Sequence, residues 1–218
     1  MQMRPVKVWD FWIRLVHWAI VLLIGLSWWA MQTNRVQLHF LSGYTVLTLV
    51  LFRLGWGLIG SDTARFARFL RSPLAALRHV ARLRRREPDT EIGHNAAGGW
   101  MVLVLLGLLL TQALTGLFAD SGYGDYGPLA KRVSGATSDW LTGIHHRSFN
   151  LILAAAGLHV LAVLAYRVLK GQNLVRPMVT GMKPLPATAA APRMGSPRLA
   201  AALLGAAALL VYGVSRLG

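Results

Sequence analysis

Long apolar stretches alternate with short polar ones along most of the chain. The sequence carries at most one charged side chain in each of the stretches 11–31, 40–60, 92–119, 148–166 and 199–215. A helix needs about 20 apolar residues to cross the hydrocarbon core of a bilayer, so the first four stretches are long enough and the last is at the short limit. The pattern predicts an all-α integral membrane protein with four transmembrane helices and an additional fifth.

The polar connections predict how these helices follow one another. The predicted spans are about 11–31, 39–60, 98–118, 145–166 and 199–216. The connections between spans one and two, and three and four, are short enough to make these neighbours antiparallel, which favours a four-helix bundle. We place this bundle at 1–183, a flexible Pro- and Ala-rich linker at 184–198, and an extra C-terminal helix at 199–216. The first span is predicted to be retained, because no small-x-small cleavage site follows it.

Composition and charge agree with a membrane location. Of the 218 residues, 55% are hydrophobic, and the mean hydropathy is +0.47. The net charge is +15, and most of the 23 Lys and Arg residues lie at the N-terminus and in the segments 61–91 and 167–198. By the positive-inside rule, this asymmetry predicts a cytoplasmic N-terminus and a cytoplasmic Arg-rich loop, and it explains the charge without a nucleic-acid partner. The alternation of basic and apolar positions in that loop is also typical of segments that lie on anionic lipid headgroups.

Two features of the composition exclude whole classes of site. The chain has no cysteine, which excludes disulfides, iron–sulfur clusters, covalently attached c-type haem and thiolate zinc sites. All eight acidic residues fall outside the predicted spans or at their edges. This distribution argues against a cation transporter and against a proton-conducting relay of carboxylates.

Four histidines lie within or at the ends of the predicted spans, at two depths. His145 and His159 are about four helical turns apart, so they share nearly one face and lie about 21 Å apart along the helix axis. His39 opens the second span on the outer side, level with His145. His17 lies at the inner level of the first span, which His159 also reaches. Topology and depth alone predict an outer pair, His39 with His145, and an inner pair, His17 with His159.

Paired imidazoles in an apolar slot favour haem iron over other metals. The porphyrin already supplies four nitrogens, so the protein has to supply only axial ligands. Zinc or manganese would be expected to recruit Asp or Glu as well. The alternative is that each imidazole is simply buried and hydrogen-bonded to a backbone carbonyl. We predict two non-covalent b-type haems whose iron ligands are His17, His39, His145 and His159. With both axial positions filled, the iron can pass electrons but has no open position for bond chemistry, so no catalytic residue is assigned.

Two residues of the second span are candidates for further contacts to a cofactor. Arg53 shares the face of His39 near the inner level, where it can pair with a haem propionate or snorkel to the cytoplasmic interface. Gly43 follows His39 by one turn, where the absence of a side chain lets a flat ring approach the helix. Ordinary packing of membrane helices, which are rich in glycine, is the alternative for Gly43.

Three further histidines have weaker assignments. His146 rivals His145 as a ligand, but its angular position differs from that of His159, so an interfacial location is favoured. Three roles stay open for His94, at the inner start of the third span. It could cap the helix, contact a haem propionate or replace one of the ligands. His79 is interpreted as part of the basic loop.

The motifs around these residues resemble those of the bacterial cytochrome b561 family, a superfamily that includes the cytochrome b subunit of nickel–iron hydrogenases. They are "RLVHW" in span one, "LHFLSGY" in span two, "GHNAAGGWM" before span three, and "IHHRSFNLILAAAGLHV" with "KGQNLVRPM" in and after span four. The resemblance covers about 6–183. It implies a membrane-bound carrier with His17 and His159 on one haem and His39 and His145 on the other. Gly43 and Asn150 also match the family pattern. The doubled histidine, the linker and the fifth helix depart from it.

The resemblance implies electron transport in the bacterial inner membrane. The expected partners are the quinone pool or a dehydrogenase or hydrogenase subunit on one side and a periplasmic carrier such as cytochrome c on the other. A superoxide:quinone oxidoreductase is the alternative within the family, because Lys131, Arg132 and Arg147 could steer an anion to the outer haem. A haem-free transporter or scaffold is the alternative from another class. The sequence leaves open the donor, the acceptor, the quinone site and the oligomeric state.

Overall fold

A computed structural model describes residues 2–85 and 90–218. In chain order the elements are β1 (Met3–Lys7), α1 (Phe11–Gln32), α2 (Val36–Ile59), α3 (Phe66–Phe69), α4 (Pro73–Ala81), α5 (Ala96–Gly116), α6 (Gly135–Ala165), α7 (Val175–Thr180), β2 (Met182–Pro186) and α8 (Pro197–Ser215). Among the described residues, α1, α2, α5, α6 and α8 are long and apolar enough to cross a membrane. This confirms the all-α membrane fold class. Arg86, Glu87 and Asp89 of the predicted basic loop lie outside the described residues.

Helix α6 begins well before the predicted start of span four at 145. The Ser134 hydroxyl accepts the backbone N–H of Thr137 at 3.2 Å, which is the hydrogen bond of an N-terminal helix cap. The Ser138 hydroxyl donates to the carbonyl of Phe118 at 2.7 Å and so ties this first turn to the end of the preceding span. The polar composition of 135–144 predicted a loop, and that prediction was wrong because a capped helix continues past the apolar segment.

A small antiparallel sheet joins the start of the chain to the segment that follows α7. Strand β1 pairs with β2, with Met3 opposite Pro186 and Lys7 opposite Met182. The pattern of hydrophobic positions did not predict either strand, because each is short and proline-containing. Both strands are edges, where proline is tolerated because its missing N–H faces away from the ladder.

The described chain forms two compact units that each draw on several helices. The first unit contains 1–15, 55–104 and 155–200, and the second contains 16–54, 105–154 and 201–218. The second unit has a core cluster of Leu47, Leu117 and Val211. Because Val211 belongs to α8, the C-terminal helix contributes buried side chains to this unit.

The segment predicted as a flexible linker makes specific hydrogen bonds inside the first unit. The backbone N–H groups of Asp62 and Arg193 donate to the carbonyl of Arg193 and to the carboxylate of Asp62, at 3.0 and 3.1 Å. The N–H of Gly195 donates to the hydroxyl of Ser61 at 2.8 Å. Gly195 also leaves no room for a side chain, since a Cβ there would lie 2.6 Å from the Trp56 ring. These contacts attach the start of α8 to the end of α2.

Asp10 connects the start of α1 to the end of α2 in the first unit. One carboxylate oxygen accepts the N–H of Ile13 at 2.8 Å, which caps α1. The other oxygen accepts the indole N–H of Trp56 at 3.0 Å. Asp10 is buried, and Trp56 is fully buried. The carboxylate therefore satisfies two donors that water cannot reach.

We expect Asp10→Ala to lower the free energy of unfolding by about 2 to 4 kcal/mol, because it removes a helix cap and the carboxylate that accepts a buried indole N–H. Circular dichroism during thermal or denaturant unfolding in detergent measures the change. Asp139→Ala is the control, because this exposed carboxylate should change stability by less than about 0.5 kcal/mol. Equal losses in the two variants would contradict a structural role for Asp10.

Candidate functional site

Two of the predicted ligands face each other in the second unit. His39 lies in the first turns of α2, and His145 lies within α6. Their ring centroids are 6.1 Å apart, and the ring planes are 81° apart. Both side chains are half-buried. The structure therefore brings together the two histidines that topology and depth predicted as the outer pair.

The Nδ1 atom of each ring is held by a backbone carbonyl. The Nδ1 atom of His39 lies 3.1 Å from the carbonyl oxygen of Ser27 and 2.9 Å from the Ser27 hydroxyl. The Nδ1 atom of His145 lies 2.8 Å from the carbonyl oxygen of Gln112. A carbonyl only accepts, so Nδ1 carries the proton in both rings and the lone pair is on Nε2. This second-sphere arrangement is typical of histidines that bind a metal through Nε2.

Gln112 makes the closest polar contacts to His145. Its amide Nε2 donates to the His145 Nε2 at 3.0 Å, and its Oε1 accepts from the Ser148 hydroxyl. Sequence reasoning missed Gln112, although a glutamine in the middle of an apolar span is itself a signal, because such groups need a hydrogen-bond partner inside lipid. One turn later, a Cβ on Gly116 would lie 2.9 Å from the His145 ring, so this position needs glycine.

The spacing of the two rings fits a shared metal. Two imidazoles that bind one metal from opposite sides have ring centroids roughly 6 Å apart, because each metal–nitrogen bond is about 2 Å long and each ring adds about 1 Å. The observed separation is 6.1 Å. In the described part of the chain, no group of three or more His, Cys, Asp or Glu side chains is placed to hold a metal ion. A pair of histidines without carboxylates suits haem, which brings its own four nitrogens.

Gly43 and Arg53 both lie on α2 in the same unit. A Cβ on Gly43 would meet no atom within 4 Å, so there is open space one turn after His39. Arg53 is only 6% exposed, which does not favour snorkelling toward water. Whether either residue contacts a cofactor stays a prediction.

His17 and His159 belong to different compact units, and their pairing stays a prediction. His17 lies in α1, where its Nδ1 atom is buried and its ring centroid is 4.9 Å from that of Trp18. His159 lies in α6 and is half-buried. Both occupy helices of transmembrane length, as the sequence predicted.

His146 and His94 lie in different environments. His146 is exposed, whereas the neighbouring His145 is half-buried against His39, which supports His145 over its rival. His94 lies between Trp9 and Phe69, with ring centroids 4.6 Å away in both cases. The cap of α5 is Asn95, whose side-chain oxygen accepts the N–H of Gly98 at 2.8 Å. His94 therefore contacts two aromatic rings, and the capping role belongs to its neighbour Asn95.

His79 is more than a member of the basic loop. Its Nε2 atom lies 2.6 Å from the hydroxyl of Tyr166, and the two rings are stacked at a centroid distance of 6.1 Å. This contact joins α4 to the end of the fourth span inside the first unit.

Comparison with known families agrees with the site. The model of a family described as prokaryotic cytochrome b561 matches residues 8–181 of the 218. The chain has no match among curated proteins and none among solved structures. The matched region includes all four predicted ligands and four of the helices of transmembrane length. The chain is a multi-pass bacterial membrane protein of the b-type cytochrome class, which transfers electrons, and it belongs to the prokaryotic cytochrome b561 family.

Proposed function

We propose that this protein carries electrons across the bacterial inner membrane through two non-covalent b-type haems, each held by two histidines. His39 and His145 hold the outer haem, and His17 and His159 hold the inner one. The N-terminus and the Arg-rich loop face the cytoplasm. The electron partners are a quinone or quinol, or a dehydrogenase or hydrogenase subunit, on one side, and a periplasmic carrier such as cytochrome c on the other.

The facing pair of His39 and His145 carries this proposal. Its centroid separation of 6.1 Å suits two axial ligands of one iron. The carbonyls of Ser27 and Gln112 hold Nδ1 of the two rings and leave Nε2 as the binding atom. When bound, haem supplies one-electron chemistry at its iron. The protein supplies the ligands, their orientation and an apolar environment that excludes water.

The outer loop and the first turns of α6 offer a surface for a periplasmic partner. Tyr123 and Trp140 are strongly exposed, at 94% and 63%. Both belong to the same unit as the outer histidine pair. Aromatic side chains are enriched where proteins bind one another, so the loop at Tyr123 and the first turns of α6 at Trp140 are the expected docking surface for an electron-transfer partner.

A haem assay tests the proposed function directly. The purified protein, reduced with dithionite, should show the absorption bands of b-type haem, and a pyridine haemochrome assay should give a ratio of haem to chain near two. A redox titration should resolve two one-electron steps. A colourless preparation from cells with an ample haem supply would contradict the proposal, and a ratio near one would contradict the two-haem assignment.

The second candidate is oxidation of superoxide with reduction of quinone at the same haems. It is favoured by three exposed cations in the second unit: Lys131, Arg132 and Arg147. Exposed cations near an acceptor raise the encounter rate of an anion, and this effect falls with added salt. Stopped-flow reduction of the protein by superoxide at two ionic strengths separates this activity from a passive relay. A rate that does not depend on salt would remove the observation that favours it.

We expect Gln112→Leu to strengthen haem binding at the outer pair by about three- to tenfold, because the amide of Gln112 competes with iron for Nε2 of His145. The backbone carbonyl that orients the ring is unchanged by this substitution. Titration of the haem-free protein with hemin measures the change. Thr111→Val is the control, because the hydroxyl of this neighbouring residue bonds only within its own helix at the carbonyl of Gly107. Weaker binding in Gln112→Leu would show that the amide supports the loaded site instead.

A further inference from the structure

A basic cavity lies in the first unit where several helices begin or end. Its volume is about 450 Å³, within the range of about 300 to 1,000 Å³ that is typical of sites for small ligands. The wall includes α4, the start of α5 at Ala96, and the end of the fourth span at Tyr166 and Lys170. Because α5 and α6 are of membrane-spanning length and begin or end here, the cavity lies at the level of a membrane surface.

The charged groups of this cavity are mostly cationic. Among the described residues that line it, the cations are Arg78, Arg82, Lys170 and Lys183, and the acid is Glu91. Lys183 is buried to 7% exposure, and its Nζ donates to the backbone carbonyl of Glu91 at 2.7 Å. A lysine that is ordered and buried at the wall, with three arginine or lysine neighbours, forms a site with an excess of positive charge.

The position of α4 against the fourth span is fixed by a side-chain pair. His79 and Tyr166 both line the cavity, and the Nε2 atom of His79 lies 2.6 Å from the Tyr166 hydroxyl. Tyr166 is buried. Lys170 follows on the π-helical turn Tyr166–Lys170, with its Nζ 5.9 Å from the centroid of the Tyr166 ring. This part of the wall is therefore a specific contact between α4 and the end of the fourth span.

The opposite side of α4 is apolar and exposed. Leu74, Leu77 and Val80 are 54%, 68% and 54% exposed, and their spacing of three residues places them on one stripe of the helix. Arg78 and His79 lie on the side that faces the cavity. A short helix with an apolar stripe and a basic side at a membrane surface is typical of an element that lies among lipid headgroups.

We propose that this cavity binds the phosphate-bearing headgroup of an anionic phospholipid at the membrane surface, while the stripe of Leu74, Leu77 and Val80 on the other side of α4 contacts the acyl chains of the surrounding leaflet. Arg78 and Arg82 pair with the phosphate, since guanidinium groups hold phosphate oxygens in a bidentate manner. A quinone headgroup is neutral and gains little from four cations. A free phosphate gives no reason for the exposed apolar stripe on the other side of α4.

Native mass spectrometry of the haem-loaded protein tests this proposal. We expect the wild-type protein to retain phosphatidylglycerol about tenfold more strongly than phosphatidylcholine. We expect the double variant Arg78→Gln/Arg82→Gln to lose about tenfold in phosphatidylglycerol binding. The matched control is Arg84→Gln/Arg85→Gln, which removes the same charge from exposed residues of the same loop that do not line the cavity. We expect less than about a twofold loss in this control.

Competition experiments identify the source of the ligand. Inorganic phosphate and a short-chain quinone are each added to the lipid-bound protein, and neither should displace the lipid. Displacement by phosphate would overturn the lipid in favour of a free phosphate site, and displacement by the quinone would overturn it in favour of a quinone site. Equal losses in the two double variants would overturn the proposal in favour of diffuse attraction to the loop.

The lipid preference of the wild-type protein tests the proposal even if the cavity variant does not fold. Equal retention of the two lipids by the wild-type protein overturns the headgroup site without any variant. The visible spectrum and the haem content of each variant report folding. They also separate the two proposals, because a chain with both haems and no lipid preference contradicts the lipid site alone.

Discussion

His145→Ala is expected to lower the haem content from near two per chain to near one. The substitution removes the imidazole that lies beside His39, so the proposed outer haem loses one axial ligand while the inner pair is unchanged. The pyridine haemochrome assay counts the haems. A redox titration should then show the loss of one of the two steps. His39→Ala should remove the same step, because the two residues are predicted to serve one iron.

His146→Ala is the matched control for this experiment. It removes an adjacent imidazole from the same helix, but from an exposed position. We expect it to keep both haems and both redox steps. Loss of a haem in His146→Ala, with full loading of His145→Ala, would exchange the two ligand assignments. Adding free imidazole to His145→Gly should restore the outer haem, which a folding defect would not allow.

The inner pair gives the second large expected effect. His17→Ala and His159→Ala should each lower the haem content to near one per chain and remove the redox step that His145→Ala leaves in place. The reason is that two ligands from α1 and α6 are predicted to hold one iron, so the loss of either leaves it with a single axial nitrogen. The two variants should therefore give the same residual spectrum and the same residual potential.

The pattern across four variants decides the pairing. Matching residual spectra for His17→Ala and His39→Ala would refute the pairs proposed here. Loss of both haems in a variant points to unfolding, and the melting curve of that variant then shows it. Free imidazole added to His159→Gly should restore the inner haem alone. Restoration of the outer haem in that experiment would also reverse the assignment.

The sequence predicted the transmembrane segments well and their starts less well. The spans follow from long runs without charge, which only a helix can carry through lipid with its backbone satisfied. The start of α6 at Gly135 was missed because the first turns of that helix are polar, and the Ser134 cap that starts it is a local hydrogen bond. The two strands were missed because each is short and contains proline.

The outer histidine pair was predicted from residue spacing, whereas its hydrogen-bond partner on α5 was not. Helix periodicity and topology predicted that His39 and His145 would meet, and the rings are 6.1 Å apart. Periodicity could not predict Gln112, because its role depends on which face of α5 packs against α6. The cavity beside α4 was missed for the same reason. Its cations come from three separate segments that only the fold brings together.

The sequence by itself determined the class of this protein. Uncharged runs require membrane helices, the absence of cysteine excludes thiolate sites, and histidines at two depths suggest paired axial ligands. Only the tertiary structure decided that Nδ1 of His145 lies against the Gln112 carbonyl, that Asp10 joins α1 to Trp56, and that His79 bonds Tyr166. The physical reason is the sequence separation of the residues involved. Hydrophobic periodicity depends on residues that are close together in the sequence. Hydrogen bonds between distant segments depend on helix rotation and register, which the sequence pattern does not fix.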